Sequence, residues 1–247
     1  MIRTAETMGT VVSLRTDGDL APAVWSEVAD VFERWEDVFS LWRDDSELSR
    51  LADGRLRLTE TSDRVRDVYA QALVWRSTTR GAFTPHRPDG VIDLSGIVKA
   101  LAAEEAGGVL DRATGSWLLG VGGDVLGRGE RSVDGPGEPW RCGVVDPDRR
   151  DALLGVVDLR DGRRAVATSG TAERGEHVWR REAGATFAQV TVCADDLVTA
   201  DVLATAILAG TPDDLDGITD SCDVDVAAVA RDGTLRTTPG ARAWVMR

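Results

Sequence analysis

Apolar and polar positions alternate over Thr10-Val11-Val12-Ser13-Leu14-Arg15, directly after Met8-Gly9, and this period predicts a strand. The period then lengthens. Val24, Val28, Val31, Trp35, Val38 and Trp42 follow at steps of four or three, which puts them on one face of a helix. Asp19 is placed to cap that helix and Pro22 suits its first turn. The stripe reads as core, except that Trp42 falls at the helix's end, where its ring can either pack or project into a cleft. Asp45 or Ser46 is suited to cap a short turn through Leu48 and Leu51. A second long helix is expected over 59–79, with Val65, Val68, Ala72 and Trp75 on one face, ended by Gly81-Ala82-Phe83-Thr84-Pro85. A compact loop with Pro85 and Pro88 then delivers the chain to Ile92-Asp93-Leu94-Ser95-Gly96-Ile97-Val98-Lys99. That stretch reads as strand, turn and helix start. The helix continues through Leu101, Glu104, Glu105 and Leu110, weakened by Gly107-Gly108.

The second half reads mostly as strands. Ser116 to Val125 is a strand entering the glycine turn Gly122-Gly123-Asp124, and 129–139 is a Gly/Pro-rich surface loop. Strands are expected at 140–145, 154–159 and 164–168, the last ending in Thr168-Ser169-Gly170. His177-Val178-Trp179 lies in a polar loop, and Phe187 to Cys193 has strand character. Residues 196–209 form an apolar helix. Closing strands are expected over Val224 to Val229 and Ala243 to Met246, with Asp232-Gly233 as a turn between Ala230 and Leu235. There is no internal repeat or low-complexity linker. The expected architecture is α+β, one domain over 1–247 or two intimate subdomains.

Composition narrows the function classes. Hydrophobic content of 43% and charged content of 29% suit a globular protein. No apolar run approaches the ~20 residues that span a bilayer, and Met1 to Glu6 has no signal-like core. A net charge of −13 argues against nucleic acid. It leaves room for a small phosphorylated ligand, since a divalent cation reverses the local sign. Three cysteines, Cys142, Cys193 and Cys222, lack metal-like spacing and read as thiols in a reducing, cytoplasmic compartment. Lys99 is the sole lysine; every other basic residue among the 29 is arginine.

Candidate chemistry follows. A helix starting near Gly96 presents unpaired N–H groups to an anion, and Lys99 adds a point charge there; an ordinary surface lysine is the bland alternative. Asp201 and Thr205 share one face of an otherwise apolar helix, one turn apart. Carboxylate plus hydroxyl are hard donors suited to Mg²⁺, unless Thr205 merely bonds back to the Asp201 carbonyl. A carboxylate buried in an apolar helix is costly unless paired or metal-bound. His177 and His86 are the only histidines, and either a proton acceptor or a packing residue fits them. Asp93, Asp124 and Asp146 stand at strand ends, where both capping and catalytic carboxylates occur.

Taken in order, these pieces resemble the FAD:protein FMN transferase (ApbE) family. Met8-Gly9-Thr10 looks like the family's opening motif. Ser40-Leu41-Trp42-Arg43-Asp44-Asp45-Ser46-Glu47-Leu48-Ser49-Arg50 is similar to its S-x-Y-x-x-D-S-E-L-S-R segment. Gly81-Ala82-Phe83 resembles its G-A-F-D-P, and Asp93-Leu94-Ser95-Gly96-Ile97-Val98-Lys99 its D-x-G-G-I-A-K-G. Gly122-Gly123-Asp124, Thr168-Ser169-Gly170, His177-Val178 and Ala200 to Ala206 match the rest. Thr84, Ala100, Glu104 and Arg180 depart from the pattern. The few residues joining Pro85 to Ile92 stand where the family usually places several dozen.

The resemblance implies an ApbE-like fold of mixed or antiparallel sheets packed with several helices. It implies Mg²⁺-dependent transfer of FMN from FAD to a threonine of an acceptor flavoprotein, with AMP released. Asp201, Thr205 and the Gly96 carbonyl would hold the metal. Met8, Trp42, Ala82, Phe83, Thr84, Asp93, Lys99 and Val178 would line the FAD site, with Trp42 stacked on the flavin. His177 would accept the threonine proton and Asp93 would act beside it. The alternatives are a FAD-binding protein without turnover, a pyrophosphatase giving FMN and AMP, and a structural α/β domain with no ligand.

Overall fold

The computed structural model describes residues 1–132, 137–170 and 186–245. The chain opens with a hairpin, β1 (Ile2–Thr7) and β2 (Thr10–Thr16), followed by α1 (Pro22–Phe39), α2 (Glu47–Ala52), α3 (Asp63–Thr78) and α4 (Ser95–Ala113). Next come β3 (Trp117–Val121), β4 (Asp124–Arg128), the short pair β5 (Glu130–Arg131) and β6 (Glu138–Pro139), then β7 (Arg141–Val145), β8 (Leu153–Asp158), β9 (Ala165–Gly170) and β10 (Phe187–Ala194). The chain closes with α5 (Leu197–Ala209), α6 (Pro212–Ser221), β11 (Asp225–Ala230) and β12 (Leu235–Thr237). Eight strands form one sheet in the order β1-β2-β3-β4-β9-β10-β11-β12, every neighbouring pair antiparallel. The fold is α+β.

Strand parity assigns the two faces. Leu126, Ala165, Ala167, Val192 and Ala194 join the main core with the helices. Their alternates Val125, Val166 and Cys193 meet Trp140, Val144, Val157 and Leu159 of the β7–β8 hairpin in a second core. Successive side chains on a strand point to opposite faces, so one sheet serves both cores.

Several expectations shift by local chemistry. No side chain caps α1: its cap is Ala21 and Pro22 opens the helix, so Asp19 does not cap it. The helix ends at Phe39, before Trp42. The expected 59–79 helix is divided into a 3-10 turn over Leu58–Glu60 and α3, because the Thr61 hydroxyl closes back on the Leu58 carbonyl and Ser62 caps the new start. Ser46 caps α2. The closing strand expected from Ala243 is not formed among the described residues. Ala241–Ala243 is a 3-10 turn, Val245 makes an isolated bridge to Gly155, and β12 takes the sheet edge instead.

Candidate active site

Two tight turns place the first residues. Thr7 and Thr10 pair across a turn in which Met8 (φ 51°) and Gly9 (φ 66°) both lie in the left-handed region, as a two-residue hairpin of I′ type requires. Positive φ is uncommon for methionine, and α1 helps hold it. The Met8 N–H (3.0 Å) and the Thr7 hydroxyl (3.2 Å) both donate to Glu36 Oε2. Farther along, the Ser46 and Ser49 hydroxyls both donate to the Ser40 carbonyl, which draws the chain between α1 and α2 into a loop. Trp42 sits on that loop and is 82% exposed.

The short connection before α4 is a hairpin. His86 bridges Ile92, the Arg87 N–H donates to the Val91 carbonyl (2.9 Å), and the Asp93 N–H to the Pro85 carbonyl (2.9 Å). His86 meets the Tyr69 hydroxyl at 2.9 Å; burial, aided by the Arg76 charge, holds this imidazole below its ordinary pKa. Asp93 Oδ1 accepts the Ser95 N–H (2.9 Å) and so fixes the first turn of α4. Phe83 packs against Gly96, where an added Cβ would lie 3.0 Å from the ring. Ala82 and Phe83 are core residues, and their N–H groups go to Thr79. Thr84 is half-buried, with its hydroxyl accepting the His86 N–H (3.3 Å).

The centre of charge lies between α4, α5 and the sheet. The Lys99 ammonium is in direct contact with Asp124 Oδ2 and lies 3.7 Å from Asp201 Oδ2. Asp124 is 1% exposed and Asp201 5%. Asp124 begins β4 after the Gly122-Gly123 turn, opposite Val121. The β4–β9 ladder stops at Val125↔Val166, and Asp124 Oδ1 accepts the next N–H, that of Thr168, at 3.3 Å. Parity with Leu126 puts Asp124 on the helix-facing side of the sheet. Ser169 shares that side through Ala167, and its hydroxyl meets Thr205 Oγ1 at 3.2 Å. Thr205 stands one turn beyond Asp201 on α5, and Gly96 one turn before Lys99 on α4. Nearby, Glu104 Oε1 accepts the Leu197 N–H (2.6 Å), tying α4 to the start of α5. Burial raises its pKa, against that hydrogen bond and the Arg164 charge.

The structure thus brings Lys99, Asp201 and Thr205 into one cluster. Met8, Trp42 and Asp93 stand on separate loops. His177 and Val178 lie outside the described residues. The sequence marks Asp124 only as a strand-end carboxylate, for capping or catalysis, and Ser169 only within a family motif; strand parity puts both on the helix-facing side. Among the described residues no three His, Cys, Asp or Glu side chains gather as a metal cluster. A carboxylate and a hydroxyl one turn apart, with a backbone carbonyl, nevertheless make an all-oxygen set of the kind Mg²⁺ takes. Two carboxylates against one ammonium leave the cluster net negative. The residues present fit the ion.

The sequence model of the ApbE family matches residues 8–89 and 85–229. A FAD:protein FMN transferase of Klebsiella pneumoniae is 31% identical over 86 residues, which span 34% of this chain and only 23% of that protein. Among solved structures, the ApbE protein of Thermotoga maritima superposes with a TM-score of 0.82 at 20% identity, covering 100% of this chain and 99% of that one. The flavin transferase ApbE of Vibrio cholerae gives 0.79 at 21%, covering 99% of each. The apo flavinyl transferase ApbE of Pseudomonas stutzeri gives 0.80 at 21%, covering 99% and 96%. At these identities the superpositions speak to the fold, and the family match extends over most of the sequence: the chain belongs to the ApbE family.

Proposed function

We propose that the protein transfers the FMN half of FAD to a threonine hydroxyl of a separate flavoprotein and releases AMP, with Mg²⁺ bound by Asp201, Thr205 and the Gly96 carbonyl. The observation that carries this reading is the buried Asp124–Lys99–Asp201 cluster with the Thr205 hydroxyl one turn away. The acceptor oxygen attacks the FMN phosphorus, the bond from that phosphorus to the bridging oxygen breaks, and AMP leaves with the bridging oxygen. The threonine proton goes to His177 or to water. Lys99 and the positive end of the α4 dipole take up charge on the pyrophosphate. Asp93 holds that turn in place through the Ser95 N–H. When bound, Mg²⁺ supplies further neutralisation of the phosphoryl oxygens. Trp42 offers an exposed side chain for the flavin, and Met8 and Thr84 would supply further walls of the site. The three free thiols favour a reducing, cytoplasmic setting. No helix among the described residues is long and apolar enough to cross a membrane.

The test is incubation with FAD, Mg²⁺ and a flavoprotein bearing an acceptor threonine. A covalent FMN adduct by mass spectrometry together with AMP is expected, and Asp201→Ala should abolish both. FMN appearing free in solution would make the protein a pyrophosphatase. FAD bound without AMP release would make it a binding protein.

A further inference from the structure

We propose that Asp124 is a positioning residue for Lys99: it seats the ammonium toward the substrate pyrophosphate and keeps it from settling on Asp201. This rests on the reading that FAD places its pyrophosphate at the start of α4. The ammonium touches Asp124 but stands 3.7 Å from Asp201, beyond ordinary hydrogen-bond reach. Asp124 therefore carries the short contact, and Asp201 the weaker attraction. The anchor is rigid. Asp124 pairs with Val121 across a glycine turn that is itself bonded to β2, the Gly122 N–H donating to the Val11 carbonyl at 3.0 Å. Its second oxygen is held by the Thr168 N–H. Lysine, by contrast, is a point charge on a flexible stem, and without an anchor it moves to the next carboxylate. Here that carboxylate is Asp201, so loss of Asp124 would draw the ammonium onto the metal-binding group and away from the phosphates.

The sign of one substitution separates positioning from simple charge. Asp124 is an acid beside an anionic substrate. If it acted only through its field, Asp124→Asn would tighten FAD binding. If it acts through Lys99, the same change weakens binding, and only while Lys99 is present. The experiment measures FAD affinity of the full chain in EDTA by quenching of flavin fluorescence, for Lys99→Met, Asp124→Asn and the double variant. Lys99→Met is expected to weaken binding about tenfold, Asp124→Asn by most of that factor, and the double variant no further than Lys99→Met. Asp124→Asn binding FAD as well as the wild type, or costing the same with and without Lys99, overturns the proposal. Lys99→Met without effect overturns the underlying reading as well, which distinguishes the two failures. Thermal melts establish that each variant is folded. Should Asp124→Asn not fold, Asp124→Glu keeps the charge but moves it by one methylene. Weaker FAD binding by Asp124→Glu supports positioning, and wild-type affinity overturns it.

Discussion

At the scale of single residues, exposure separates groups that hold the fold from groups free to serve another purpose. Trp42 ends the apolar stripe of α1 in the sequence, yet it is 82% exposed. A ring so placed contributes little to stability, so Trp42→Ala should leave the melting temperature nearly unchanged, a cost within about 0.5 kcal/mol. If it stacks on flavin, the same change should weaken FAD binding roughly two- to tenfold, by analogy with aromatic pairs. Fluorescence titration beside a thermal melt checks both, and unaltered FAD affinity would remove Trp42 from the site. Lys99 and Asp201 were legible in the sequence for one reason: each is out of place, a sole lysine and a carboxylate in an apolar helix. Asp124 was legible only as one of three strand-end aspartates, and it is the strand pairing that turns it toward Lys99. Ala82 and Phe83, which the family motif marks, have side chains that fill the core.

Elements were legible where the apolar pattern is strong. The α1 stripe follows from its period, while α5 and the central strand β10, buried on nearly every side, follow from continuous apolar runs. β1 was missed because it is an edge strand with no buried side chain to mark its alternation. α6 was missed because its first turn is Pro212-Asp213-Asp214, polar residues that read as loop until the Thr211–Asp214 capping box is recognised. The Gly107-Gly108 pair reads in the sequence as a weak point of α4, but its two members differ. A Cβ at Gly107 would lie 3.0 Å from the buried Trp117 ring and 3.1 Å from Leu126. A Cβ at Gly108 would meet only the Arg112 guanidinium, at 3.9 Å. Trp117 cannot readily yield, since its indole N–H is bonded to Asp111 at 3.0 Å. Gly107→Ala should therefore destabilise by about 1–3 kcal/mol through overpacking, outweighing the helix propensity gained. Gly108→Ala should stabilise by about 0.5–1 kcal/mol. Urea unfolding of the two variants decides; equal effects would mean that α4 does not sit on the sheet through Gly107.

At the scale of the molecule, one sheet joins two cores, and its strands cannot open on one side alone. Cys193 lies on β10, between β9 and β11, and faces the smaller core. Burial pushes its thiol up to about 12, with the Asp225 charge adding and Arg163 opposing; burial likewise pushes Cys142 up to about 12. An unfolded chain ionises these thiols from about their ordinary value of 9.0. Between that pH and about 12 the unfolded state binds fewer protons than the folded one, so stability falls as pH rises. Their contribution is fully present below pH 9 and declines by up to about 1.4 kcal/mol per pH unit for each thiol. The composition makes the effect readable, because the chain holds only one tyrosine and one lysine beside its three cysteines. The urea midpoint should therefore fall between pH 8 and pH 10.5. Cys193→Ala should lower the midpoint at pH 8, through the small void it leaves, yet lose less on going to pH 10.5. Because β10 is central, the change should appear in a single transition seen alike by tryptophan fluorescence and far-UV circular dichroism. Equal alkaline losses in variant and wild type would mean that Cys193 ionises in the folded protein, and hence that the smaller core admits water while the sheet stays intact.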